Sequence, residues 1–196
     1  SLTYSWFKLM SDKDLFIRRY KELGWICTET ELKQSIRINT MNALEADAIG
    51  RLESQGTELE KIPFLQSGYW IRKSEFSAGA TTEYLLGYYS IQEAAAQIPV
   101  TLFTELEDKT VLDACAAPGG KTVQLADLMH NNGAIAALDI KSQRLIVLSN
   151  QLERCRVKNT VVYQLDAREV SQLNMKFDLI LLDMPCSGYC ATDKDW

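Results

Sequence analysis

The chain has 196 residues, of which 46% are hydrophobic and 24% charged, a globular composition with enough apolar material for one or two packed cores, which excludes a disordered chain. Its formal charge of −5, from 21 Lys+Arg against 26 Asp+Glu, supplies no overall attraction to nucleic acid, so any such contact needs a local basic surface. No apolar run reaches the roughly 18 residues of a membrane span, and the opening S-L-T-Y-S-W-F-K-L-M has neither the basic head nor the cleavage site of a signal peptide; a soluble, cytoplasmic protein without a membrane partner is expected.

The first predicted element is a helix that Ser11 could cap, with Leu15, Phe16, Tyr20 and Leu23 on one side and a stop at Gly24. S-I-R-I-N then alternates like a strand. Asn42 and Glu45 form a plausible capping pair for a second helix, which carries Leu44, Ala48, Ile49 and Leu52 and ends near Gly56. A short extended piece, Tyr69 to Lys73, follows. From Thr81 the sequence reads as helical through T-E-Y-L-L-G-Y-Y and I-Q-E-A-A-A-Q, with Pro99 bending or ending it.

From Lys109 the pattern changes to strand, glycine loop, helix, strand, helix, strand, strand. Its pieces are V-L-D-A-C, A-P-G-G, T-V-Q-L-A-D-L-M, A-I-A-A-L-D, a helix from Ser142 to Cys155, T-V-V-Y-Q and D-L-I-L-L-D. Short apolar runs alternating with helices predict a doubly wound α/β sheet, with ligands at the carboxyl ends of its strands. The expected division is an α+β front unit over residues 1–75, a helical bridge over 76–108 and an α/β core over 109–196. Four strands ending at Asp183 make an incomplete sheet with an apolar strand at its edge, so further sheet is expected after Trp196.

A-A-P-G-G-K-T after a buried strand offers close backbone approach at Gly119 and Gly120, and exposed amides where the next helix begins, which suits an anionic or zwitterionic ligand. The rival is a P-loop-like NTPase, because G-G-K-T ends like G-x-x-x-x-G-K-[ST]. Its first glycine is replaced by Cys115, and Pro118 removes an amide donor. Asp139 closes the next strand about twenty residues later, where a carboxylate accepts the two hydroxyls of a ribose. Asp166, just past the third strand, can accept from an adenine amino group, and Asp183 ends the fourth. Each alone is an ordinary strand-ending turn residue; three in a row beside a glycine loop favour an adenosine-containing cofactor. G-x-G-x-x-G is absent, which favours S-adenosylmethionine over a dinucleotide.

D-M-P-C-S-G places a thiol, Cys186, beside that cofactor, between the fixed backbone of Pro185 and the free one of Gly188. D-A-C-A-A-P-G-G-K-T and D-L-I-L-L-D-M-P-C-S-G, about sixty residues apart, with Y-Y-S-I-Q-E-A-A-A and S-I-R-I-N-T upstream, closely resemble the Nop/Sun family of RNA cytosine-C5 methyltransferases. The resemblance covers nearly the whole chain, and its two glycine-loop and P-C motifs are the specific ones. It implies a class I, Rossmann-like, S-adenosylmethionine-dependent methyltransferase core with a small N-terminal α+β unit, acting on rRNA or tRNA. By the same resemblance, Cys115, Ala116, Ala117, Pro118, Gly119, Gly120 and Lys121 hold the methionine end of the cofactor. Asp139, supported by Arg144, takes the ribose, Asp166 the adenine, and Asp183 faces both donor and target base.

A thiol is needed because carbon 5 of cytosine is a poor nucleophile until a thiolate adds at carbon 6. In the resembled family the P-C cysteine assists breakdown of the adduct, and the attacking cysteine lies in a later T-C-S segment that this sequence lacks. Either the chain stops short of that segment, or Cys186 attacks by itself. Since the later strands are absent together with the nucleophile, one shortening accounts for both, and a chain that binds cofactor without turnover is expected. RNA contact is expected from the front unit and bridge, where Lys33, Arg37, Arg72 and Lys73 interleave with Tyr69 and Trp70, with a solvated face over core aromatics as the equal alternative; Gln92 and Glu93 either face the substrate pocket, by family analogy, or form an ordinary helix cap or exposed face. The five cysteines, Cys27, Cys115, Cys155, Cys186 and Cys190, have no C-x-x-C spacing, which fits reduced thiols, and with the sole His130 they supply no metal-ligand pairing. A catalytically inactive RNA-binding or scaffold protein is the alternative from another class.

Overall fold

A computed structural model describes residues 12–25 and 33–184. It divides into a small unit that includes the first 32 residues and a large one over Lys33–Pro185. In the small unit, α1 (Asp12–Glu22) is followed by a reversal in which Gly24 N–H donates to the Lys21 carbonyl and Trp25 N–H to that of Tyr20. Leu15 and Leu23, expected on a packed side, are exposed there. Ser11 lies outside the described residues.

The large unit opens with an antiparallel sheet of β1 (Ser35–Ile38), β2 (Glu58–Lys61), β3 (Gly68–Lys73) and β4 (Tyr89–Ile91), in the order β2-β3-β1-β4. The helical reading of Y-Y-S-I is corrected: Tyr89–Ile91 pairs with β1, Ser90 opposite Arg37. Short and rich in β-formers, it gains ladder hydrogen bonds that an isolated helical turn would not have. β2, E-L-E-K, carried no apolar alternation in the sequence and is a strand because β3 templates it. Helix α2 (Glu45–Ser54) buries Ala48 and Leu52 against Ile36, Ile38, Tyr69 and Tyr89. Asn42 does not cap it; its amide donates to the Gly87 carbonyl, 3.1 Å away.

After the single turn α3 (Thr82–Leu85), helix α4 (Ala94–Thr101) tolerates Pro99 in its last turn. The parallel sheet follows: β5 (Thr110–Asp113), α5 (Gly120–Leu128), β6 (Ala134–Asp139), α6 (Ser142–Arg154), β7 (Thr160–Gln164), a 3₁₀ turn over Ala167–Leu173, and β8 (Leu179–Leu181). Its order is β7-β6-β5-β8, every pairing parallel. Alternate residues feed two cores, as a parallel sheet covered on both faces requires. Val111 and Ile135 pack with Leu125 and Met129, while Leu112, Ala136 and Leu138 pack toward Val170 and Phe177. Among the described residues β7 and β8 are the outer strands, and Ile180 of β8 and Leu182 just past it are more than half exposed.

The two sheets meet along a polar seam. β1 alternates: Ile36 and Ile38 enter the front core, and Arg37 and Asn39 point the other way. Arg37, 3% exposed, pairs with Asp127 of α5 at 2.6 Å. Thr40 Oγ1 donates to the same carboxylate, and Asn39 donates to the carbonyls of Gly87 and Cys155. Gly87, at φ +73°, lies so close to α6 that a Cβ there would sit 2.2 Å from the Arg154 carbonyl oxygen. S-I-R-I-N-T is thus the strip that fastens the front sheet to the α/β half.

Candidate active site

Parallel strands bring their carboxyl ends to one edge, and this edge gathers the aspartates. Asp113 ends β5, Asp139 ends β6, Asp166 follows β7 by two residues and Asp183 follows β8 by two. The loop from Ala114 to Gly119 leaves β5 here. Ala114 N–H donates to Leu181 O and Ala116 N–H to Leu138 O, which pins the loop to both neighbouring strands. Gly119 starts α5 at φ +107°, a conformation that a Cβ disfavours. A Cβ would also lie 3.0 Å from Leu148 Cδ1 and 3.2 Å from Gln151 Cγ of α6. The glycine is required by both conformation and packing.

A cavity of about 240 Å³ opens at this edge. Its apolar walls are Ala114, Ile140, Leu165, Ala167, Leu182 and Met184; its polar ones are Cys115, Asp139, Arg144, Asp166 and Arg168. Four sequence-assigned residues, Cys115, Asp139, Arg144 and Asp166, are therefore brought together. Asp139, 4% exposed, accepts from Lys141 N–H at 3.0 Å and pairs with Arg144 at 3.1 Å. Arg144 also donates to the Ala117 carbonyl, so one guanidinium ties the glycine loop to the end of β6. Ala116 to Lys121 lie outside the cavity wall. Lys121 Nζ pairs with Asp183 Oδ2 at 2.7 Å, so each of these two residues has the other as a partner. Cys186 lies outside the described residues.

Burial pushes the Cys115 thiol up, with Asp113 and Asp139 adding to the shift. A raised pKa keeps it protonated at neutral pH, unsuited to nucleophilic attack. Burial likewise raises the Cys155 thiol.

Sequence reasoning missed Asp113. Its carboxyl is 1% exposed, accepts from Thr122 Oγ1 at 2.8 Å, and is pushed up to about 6, chiefly by burial, against the lowering effect of Thr122 and the Cys115 backbone N–H. It binds both ends of the glycine loop. Its place in D-A-C, with Thr122 closing G-G-K-T, was the available signal. Arg168 and the apolar walls gave no such signal.

Two expectations change. Arg37 is withdrawn from any RNA surface, because its guanidinium is spent on Asp127, Gln92 and the Ile38 carbonyl. Gln92 is buried behind Gly120, and its side-chain amide is engaged by Arg37, Gln124 and the Ala96 carbonyl, which ties it to the seam. The other cations of the front sheet are exposed. Lys33 Nζ lies 5.1 Å from the Trp70 ring centroid and the Arg72 guanidinium 5.6 Å from it, with Phe64 edge-on to Trp70 at 6.5 Å. Arg72 pairs with Glu60, and Lys73 with Glu58 at 4.0 Å. Among the described residues there is no group of three or more metal-binding side chains and no helix long and apolar enough to cross a membrane.

Comparison with known proteins agrees with this architecture. Residues 100–196 match the family model described as 16S rRNA methyltransferase RsmB/F, and residues 9–94 match that for the N-terminal domain of 16S rRNA methyltransferase RsmF. Ribosomal RNA small subunit methyltransferase F of Aeromonas hydrophila is 42% identical over 171 residues, covering 84% of this chain and 36% of the relative. The protein of the same name from Shewanella sediminis is 42% identical over 170 residues, with the same coverage. This chain therefore spans about a third of the length of the curated relatives it matches. A crystal structure of a methyltransferase homologue from Pyrococcus horikoshii superposes with a TM-score of 0.77 at 33% identity, covering 90% of this chain and 56% of the other. With the two family models together matching residues 9–94 and 100–196, and relatives 42% identical over 84% of the chain, the chain belongs to the RsmB/F, or Nop/Sun, methyltransferase family.

Proposed function

We propose that the chain binds S-adenosylmethionine at the carboxyl edge of its parallel sheet and contributes to methylation of carbon 5 of a cytosine in small-subunit ribosomal RNA, in the cytoplasm. The observation that carries this reading is the cavity beside the glycine loop, where buried Asp139 is oriented by Arg144 and Lys141 N–H and Asp166 also lines the wall. These groups fit an adenosyl donor: a carboxylate for ribose hydroxyls, another for an adenine amino group, and apolar walls for the ring between them. A triphosphate would have to compete for every cation at this edge, because Lys121 is paired with Asp183, Arg144 with Asp139 and Arg168 with Asp166.

When bound, the cofactor supplies an electrophilic methyl group. Asp139 would hold the ribose and Asp166 the adenine. The loop pinned by Asp113 and Arg144 would keep its backbone in place for the methionine end, and Asp183, held by Lys121, would stand between donor and target base. Cys186, two residues past the described end of this rim, is assigned to adduct chemistry at cytosine carbon 6, as attacker or as the group that assists release. RNA would reach the site over Trp70, with Lys33 and Arg72 flanking its ring for stacking and phosphate contact.

Titration calorimetry with S-adenosylmethionine and with ATP tests the cofactor reading. Saturable binding of the first, abolished in Asp139→Ala, is expected. Tighter binding of ATP, or equal affinity for the donor in Asp139→Ala, would end it.

A further inference from the structure

The 3₁₀ turn after β7 contains a cation that neither the family motifs nor the reading above employs. Asp166 caps this turn: its Oδ1 accepts from Arg168 N–H at 2.9 Å. The side chain of the same arginine folds back on the carboxylate. Nε lies 3.0 Å from Oδ1 and 3.1 Å from Oδ2, and one terminal nitrogen lies 2.6 Å from Oδ2. Arg168 also walls both the 240 Å³ cavity and an adjoining open one of about 560 Å³ that shares Ile140, Leu165 and Asp166. Its side chain is 87% exposed. An exposed pair of this kind contributes little to folding, so stability does not explain the arrangement.

We propose that Arg168 is a specificity-determining positioning residue for the adenine end of the cofactor cleft, clamping the Asp166 carboxylate so that one acceptor position remains for the exocyclic amino group of a purine. The inference rests on the cofactor reading given above. A carboxylate offers about four acceptor sites, and Arg168 commits three donors to them. A free carboxylate beside an open cavity would instead rotate among its rotamers and hydrate; the planar fork of arginine fixes its plane as a lysine ammonium cannot. The same contacts hold the Asp166 carboxyl well below its usual range, at about 2. It is therefore an acceptor at every working pH and never a donor. A 6-amino purine presents a donor to the remaining position, whereas a 6-oxo purine sets its O6, an acceptor, against that acceptor position and leaves both lone pairs unmet, the situation in which a polar site discriminates most strongly.

The test is titration calorimetry of the whole chain with S-adenosylhomocysteine and its inosine counterpart, S-inosylhomocysteine. The wild type should prefer the adenosyl ligand by at least about tenfold, the cost of one mismatched hydrogen bond to a charged group. Arg168→Ala should lose about tenfold on the adenosyl ligand and little on the inosyl one, so that the preference collapses, with an unchanged thermal midpoint. Arg168→Lys, which keeps the charge without the fork, should fall between. Equal losses on both ligands would mark a merely structural effect and overturn the proposal, as would a preference that survives Arg168→Ala or is fully kept by Arg168→Lys. A wild type that binds neither ligand would instead overturn the cofactor reading itself.

Discussion

The seam between the two sheets and the rim at the carboxyl edge of the parallel sheet are both built from polar side chains, and they use them in opposite ways. At the seam, protein groups face one another: Arg37 with Asp127, Gln92 with Arg37 and Gln124, Gln97 with the Gln92 carbonyl, Asn39 with two backbone carbonyls. At the rim, Asp139 and Asp166 are each oriented by an arginine yet both still border a cavity. A bordering cavity does not by itself tell the two settings apart, because Arg37 and Asp127 also line one, of about 270 Å³. The exposure of the arginine does: its side chain is 4% exposed at Arg37 of the seam, against 39% at Arg144 and 87% at Arg168 of the rim.

The largest effect that would break this comparison is on the seam. Removing one partner of a buried ion pair leaves the other charged and uncompensated, typically at a cost of about 3–5 kcal/mol. Arg37 already has one buried nitrogen without a partner, so it has little capacity to adapt. Asp127→Ala should lower the urea midpoint steeply. A small change would mean that the seam is hydrated and that the distinction drawn from burial is wrong.

Next is the charge at Asp113, buried like the seam but belonging to the rim. Its folded pKa of about 6 stands above the 3.8 of an ordinary aspartate, so the folded chain holds the proton more tightly than the unfolded one. Below about pH 4 both states are protonated and nothing is lost. Stability then falls as pH rises toward about 6, and above that the full cost of about 3 kcal/mol stands. Asp113→Asn retains an acceptor for Thr122 without the charge. Relative to wild type it should gain up to about 3 kcal/mol between pH 4 and pH 7. Parallel stability curves from denaturant titrations across that window would remove the buried charge from the account.

Asp139→Ala sharpens the contrast from the other side. Hydrogen bonds to a charged group contribute about 1.5–3 kcal/mol each, so cofactor affinity should fall by one to two orders of magnitude while the unfolding midpoint moves far less than in Asp127→Ala. If calorimetry and melting changed in step at both positions, seam and rim would be one structural unit.

Much of this was legible in the sequence, for identifiable reasons. The parallel strands could be read because each is a short apolar run, and the row of aspartates because strand ends in such a sheet share an edge. β2 and β4 could not, since E-L-E-K and Y-S-I are held as strands by the partners that template them. Arg37 misled because a cation alternating with isoleucines looks the same whether its strand face meets water or Asp127 of a helix 90 positions away. Asp113 was overlooked because D-A-C and G-G-K-T, though both visible, do not say by themselves that Thr122 folds back onto the aspartate nine positions before it. The Lys121–Asp183 pair, 62 positions apart, is equally a product of topology.

The smallest expected effect concerns the front sheet, where the cations are neither sealed nor equivalent. Lys33 lies over the Trp70 ring, while Arg72 touches that ring and is also paired with Glu60. A phosphate would meet Lys33 directly but would compete with a carboxylate for Arg72. With single-stranded RNA, each phosphate contact adds about 0.7 to the slope of log affinity against log salt, so Lys33→Ala should flatten the slope by about that amount and Arg72→Ala by less. Glu60→Gln should steepen it slightly by releasing Arg72. Trp70→Ala should lower affinity by about 1 kcal/mol or more without altering the slope, since stacking moves no counterions. Equal slopes in all four variants would place the RNA path on another surface.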